Sequence, residues 1–160
     1  MKKLGIALAA FALTLSLAAC GSGGGSSAAD PVKLGEAMLS EARDLPDMTV
    51  VHSGTADGEE LFPYLSGMDY GKVSGYYMAY ATAGSAEEIA VISLKDSSDA
   101  AEARASLEKH LQDRLGIFRV YGPDQAAMLE NARISARDGS VALIICSNAD
   151  EVEGVFRAQG

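Results

Sequence analysis

The run Glu88-Ile89-Ala90-Val91-Ile92-Ser93-Leu94 constrains this chain more than any other stretch. Ile89, Val91, Ala90, Ile92 and Leu94 are apolar at both odd and even positions. Successive side chains of a strand point to opposite faces, so such a strand must be covered on both sides. It is expected at the centre of a sheet, and the remaining elements have to supply its covers.

The other elements are read around it. Asp30-Pro31 opens a helix expected to run to Asp44 and to be stopped by Pro46, with proline at its first position and Asp30 as cap. Met48 to His52 is short and β-branched, a strand. Ser53 to Glu60 reads as a loop, and Glu59 to Leu65 as one or two helical turns despite Pro63. Val73 to Thr82 is a second strand, rich in tyrosine. After the central strand, Asp99 and Glu102 have capping-box spacing before a long helix reaching about Phe118. Its stripe of Ala100, Ala103, Leu107, Leu111, Leu115 and Phe118 is the expected buried face. Gly122-Pro123 starts a shorter helix to about Leu129. Ala132 to Arg137 alternates, with Arg133, Ser135 and Arg137 expected toward water. Asp138-Gly139 marks a tight hairpin. Val141 to Cys146 returns as a buried strand, and Asn148-Ala149-Asp150-Glu151 caps a last helix to about Ala158. The order implies a two-layer α+β domain with a largely antiparallel sheet of about five strands packed with helices.

The N-terminus has a separate logic. Met1-Lys2-Lys3 is basic, Leu4 to Leu17 is mostly apolar, and Ala18-Ala19 are small. These are the three parts of a secretory leader, too short to span a bilayer, which takes about 20 apolar residues. Leu17-Ala18-Ala19-Cys20 resembles the bacterial lipobox. That resemblance implies cleavage before Cys20 and a diacylglyceryl thioether on its sulfur. Residues 1–19 are then a removed signal peptide, 20–30 a Gly/Ser-rich tether, and 31–160 one globular domain. A tether of about ten residues has a root-mean-square reach of roughly 17 Å. The implied location is the outer face of the cell membrane, held by lipid on Cys20.

Removing the leader takes two of the 13 basic residues and none of the 22 acidic ones, leaving a mature net charge of −11. Such a charge repels nucleic acid and anionic lipid, which excludes nucleic-acid binding and any membrane contact other than through the lipid. Only two cysteines exist. With Cys20 lipidated, Cys146 has no intrachain partner, and its strand setting points to a small buried hydrophobe.

Glu87-Glu88-Ile89-Ala90-Val91-Ile92-Ser93-Leu94-Lys95-Asp96, the long alanine- and glutamate-bearing helix, Met128-Leu129-Glu130-Asn131-Ala132 and the last hairpin with Ser147-Asn148-Ala149-Asp150 together resemble one family. It is the group of bacterial lipoproteins described as domain of unknown function 4358. The likeness spans about residues 31–158. It implies the α+β architecture and the lipid anchor, and no activity or catalytic residue comes with it.

Few residue groupings in the chain have the pattern of a reactive site. Ser106, His110 and Asp113 share a helix face, but one straight helix supplies neither a strained elbow nor an oxyanion hole, so a solvated face is expected. Cys146 would need an adjacent base to act as a nucleophile. Asp96, Asp99 and Glu102 lack the calcium-loop pattern, and two histidines with one thiol give no zinc spacing. No cofactor or metal is expected. Five of the six tyrosines, Tyr64, Tyr70, Tyr76, Tyr77 and Tyr80, fall close together. Four of these, Tyr64, Tyr76, Tyr77 and Tyr80, are the candidate binding surface. Three readings follow: a non-enzymatic module binding an envelope protein or wall component, an accessory receptor for a small solute, and an enzyme using Cys146 or a carboxylate pair.

Overall fold

The computed structural model describes residues 28–82 and 84–159. The expected leader, the expected lipidation site Cys20 and the expected tether before residue 28 lie outside the described residues. Five strands form one antiparallel sheet in the order β1-β2-β3-β5-β4: β1 is Met48–His52, β2 Val73–Ala81, β3 Glu88–Leu94, β4 Arg133–Arg137 and β5 Ser140–Ile145. The helices are α1 Pro31–Glu41, α2 Gly58–Leu61, α3 Ala100–Tyr121, α4 Pro123–Glu130 and α5 Ala149–Ala158. The chain leaves β3 through α3 and α4, forms the edge strand β4, and turns back so that β5 lies beside β3. The α+β class and the five-stranded antiparallel sheet are those read from the sequence.

β3 is buried along its whole length. Ala90, Ile92 and Leu94 pack with Leu107 and Leu115 of α3 and Leu129 of α4, while Ile89 and Val91 pack with Leu34 and Met38 of α1 and Val152 and Phe156 of α5. The expected packing of helix on sheet thus occurs twice, once on each face. The Asp138-Gly139 turn has positive φ at both residues, 47° and 76°, the backbone that lets a two-residue hairpin match the strand twist.

Several local expectations are corrected. α1 ends at Glu41, not Asp44, although Asp30 caps it as expected by accepting from the Val32 amide at 3.0 Å. Asp99 does not cap α3. A 3-10 turn, Ser97–Asp99, precedes the helix and is capped by Asp96, whose pKa its bonds to Ser98 lower. Asp99 and Glu102 instead bind the Lys72 ammonium, joining the start of β2 to the start of α3. Asn148 precedes α5 without capping it. Its Oδ1 accepts from the Arg43 amide at 3.0 Å and its Nδ2 donates to the Glu41 carbonyl at 3.1 Å, fastening the end of α1 to the start of α5. In β4 the polarity alternates as read, but Ser135 is buried and Ala136 is exposed. α5 covers the face expected to be wet, and Arg133 there reaches Asp150.

The two buried tyrosines of β2 point to opposite faces. Tyr76 stacks edge-on against Phe62 and Tyr70, and its hydroxyl donates to the Gly58 carbonyl. The Tyr77 ring lies over Gly35 of α1, where an added Cβ would overlap it. Gly35→Ala is therefore expected to destabilise the domain by about 2 kcal/mol in urea denaturation, because neither the ring nor the helix has room to move.

Burial pushes the phenol pKa values of Tyr76 and Tyr77 up to about 12. The unfolded chain loses these protons near pH 10. Between pH 10 and 12 the folded state binds more protons, so stability falls as pH rises through that window and is fully present below it. Tyrosinate absorbance is expected to rise together with loss of structure, and Tyr77→Phe is expected to narrow the alkaline loss.

Candidate functional site

β3 begins with a charge. Glu88 pairs with Tyr80 across the β2 ladder, faces α3, and has a side chain 3% exposed. A carboxylate at that depth requires charged or hydrogen-bonding partners. α3 supplies two, one turn apart. His110 Nε2 lies 3.0 and 3.1 Å from the two Glu88 oxygens, and Arg114 Nη1 donates to Oε2. An ionised carboxylate only accepts, so the Nε2 of His110 carries the proton in this pair. Arg114 Nη2 also donates to the Ser85 carbonyl at 3.4 Å, and the guanidinium sits 5.6 Å from the Phe118 ring centre.

These three groups, with Leu61, Tyr64, Met78, Tyr80 and Ala81, line a cleft of about 340 Å³. A second cleft of about 510 Å³ shares Tyr64 and His110 with it. This one runs along α3 to Glu102, with Pro63–Met68 as its other wall. The 3-10 turn Phe62–Tyr64 follows α2 directly and places Tyr64, 73% exposed, over both clefts.

The tyrosine surface divides. Tyr64 and Tyr80 meet at the first cleft, whereas Tyr76 and Tyr77 are core residues. Strand parity separates Tyr77 from Tyr76 and Tyr80, which share a face; what parity does not contain is that Phe62 and Tyr70 cover Tyr76 while Tyr80 reaches the cleft. The Ser106, His110 and Asp113 face is not simply solvated. Ser106 Oγ lies 2.7 Å from Ser66 Oγ and accepts from the Gly67 amide at 3.0 Å, His110 turns to Glu88, and Asp113 pairs with Lys109. Among the described residues no group of three or more His, Cys, Asp or Glu is placed to hold a metal ion.

Cys146 is buried just beyond β5, as its sequence setting implies. Burial is the main cause that pushes its thiol pKa up, opposed by the bond at Asn148 and reinforced by Glu151 and Glu87. Glu87 is itself buried with one oxygen lacking a hydrogen-bond partner. A thiol so placed stays protonated at neutral pH, the form that does not act as a nucleophile.

The far end of β3 is where the chain enters the domain. Ser93 Oγ donates to the Ala29 carbonyl at 2.8 Å and lies 3.1 Å from Ser140 Oγ. Five residues separate Ser93 from Glu88, about 17 Å along a strand. Cleft and entry point therefore occupy opposite ends of the sheet.

Sequence reading missed Glu88 and Arg114. The signals were present: an acid opening a strand otherwise apolar on both parities, and a histidine and an arginine four residues apart beside the apolar stripe of α3. What sequence did not supply was the register that brings them together.

A family described as domain of unknown function (DUF4358) matches residues 54–146, a span that contains every cleft residue and leaves out α1, β1 and α5. No curated protein matches the chain, and neither does any solved structure.

Removing Arg114 leaves the Glu88 carboxylate buried with one partner fewer. Arg114→Met is expected to cost about 3 kcal/mol in urea denaturation. Adding Glu88→Gln to that variant is expected to restore most of the loss, since the carboxamide brings no buried charge.

Proposed function

From the chain's membership of the family described as domain of unknown function (DUF4358), a description that assigns no activity, we propose a function based on the cleft. The protein is a lipid-anchored, extracytoplasmic, non-enzymatic binding module that takes a small solute between α3 and the Leu61–Tyr64 segment. The observation that carries this is the pairing of exposed Tyr64 and half-buried Tyr80 with a polar floor of Glu88, His110 and Arg114. Concave sites with apolar and aromatic walls and a few convergent polar groups are the usual form of small-molecule sites.

The anchor rests on Leu17-Ala18-Ala19-Cys20 and on the basic and apolar leader before it. Entry of the chain at the end of the sheet opposite the cleft fits this reading, since a tether at that end leaves the cleft open to the outside. No helix among the described residues is long and apolar enough to cross a membrane.

One observation favours a second reading, capture of an envelope protein or wall component. Ile117, Val120 and Tyr121 are exposed on consecutive turns near the end of α3. Apolar side chains grouped in this way mark contact surfaces.

Two measurements test the proposal. Cys20→Ser is expected to abolish incorporation of labelled fatty acid and to move the protein out of the membrane fraction. In a thermal-unfolding screen of extracellular metabolites, a ligand is expected to raise the Tm of the mature chain and to lose that effect in Tyr64→Ala. Absence of any shift, with capture of a partner that Tyr121→Ser abolishes, would replace the solute reading with the second one.

A further inference from the structure

We infer that the cleft takes a small organic acid, its carboxylate on Arg114 and an apolar or aromatic body against the tyrosines; this rests on the solute-binding reading above. The floor of the cleft is asymmetric in what it offers. Among the described residues Glu88 is the only carboxylate lining it, and both its oxygens are occupied by His110 and Arg114 at a side-chain exposure of 3%. Its negative charge is therefore spent inside the protein. Arg114 differs. Its side chain remains 18% exposed, and a guanidinium has five N–H donors in a planar fork. Among the described residues only Nη1 and Nη2 donate to protein groups, the latter in a long bond of 3.4 Å to Ser85. Donors are left over on a charged group that lines the cleft.

Glu88 and the Phe118 ring hold that guanidinium in place, so little ordering is required of it on binding. A planar fork meets a carboxylate with two parallel bonds; an ammonium head on a ligand could make neither, and a neutral amide, with a single acceptor oxygen, could make only one and without charge assistance. The walls decide the rest of the molecule. Leu61, Met78 and the Tyr64 and Tyr80 rings are apolar over most of their area, and about 340 Å³ is room for one ring or branched chain with its acid head. Among the described residues a polyanion would find only Arg114 as an arginine or lysine lining this cleft, with a mature chain of strong negative charge around it, which favours a monoanion.

The test compares three probes that share one body: phenylacetate, phenylacetamide and phenethylamine. They are titrated calorimetrically into the mature chain carrying Cys20→Ser. Phenylacetate is expected to bind at least ten-fold more tightly than the amide, with the amine weaker still. Arg114→Lys keeps the charge beside Glu88 but removes the fork, and is expected to lose phenylacetate affinity by about ten-fold. Tyr64→Ala, at an exposed position, is expected to weaken the acid and the amide by similar factors while leaving the fold intact. Binding of the amine or amide as tight as the acid overturns the inference, as does acid binding that neither variant weakens. Failure of all three probes also overturns it. A metabolite of other chemistry that raises the Tm of the wild type but not of Tyr64→Ala would then leave the solute-binding reading standing without the acid.

Discussion

The burial of β3 on both faces is the constraint on which the rest of the molecule depends. A strand in that position hydrogen-bonds to two neighbours and presents apolar side chains above and below, so it requires two separate covers. α3 and α4 form one, and α1 and α5 form the other. The first and last helices of the domain lie far apart in sequence yet belong to the same layer. Asn148 makes the connection explicit, since a single amide side chain bonds the Glu41 carbonyl and the Arg43 amide.

The same constraint creates the cleft. Because β3 is covered throughout, the acid at its first position is covered as well, and a buried carboxylate is tolerated only when charged and polar donors surround it. His110 and Arg114 meet that need from the helix that already packs on β3. Their grouping is thus first a condition of folding. A cleft arises from it because the cover above Glu88 is incomplete: Leu61, Tyr64 and Tyr80 stand around an opening that the apolar stripe of α3 does not fill. Stability and the proposed recognition share residues here, and this is why Arg114 carries expectations of both kinds.

Much of the fold was legible because its signals are local. β-branched and apolar runs marked β1 and β3 at their observed boundaries, Pro31 and Pro123 marked the starts of α1 and α4, and Asp138-Gly139 marked the last hairpin. Local signals failed where a side chain had a better distant partner. Asp99 and Glu102 have the spacing of a cap but are drawn to Lys72, thirty residues earlier in the case of Glu102. Asn148 stands at the start of a helix and bonds elsewhere. Ser135 has the pattern of a wet position until α5 folds over it. In each case a bond or cover available only after folding outweighed one available along the chain.

The candidate site follows the same division. Sequence by itself determined that tyrosines gather near β2, that β3 opens with an acid, and that α3 has a histidine and an arginine one turn apart, because composition and helical spacing need no partner. Which tyrosines remain accessible, and that Glu88 meets His110 and Arg114, was decided only by the tertiary structure. Those outcomes depend on strand parity relative to two different covers and on the register between β3 and α3. The physical reason is that burial and charge pairing are properties of the space between elements, which no single segment defines.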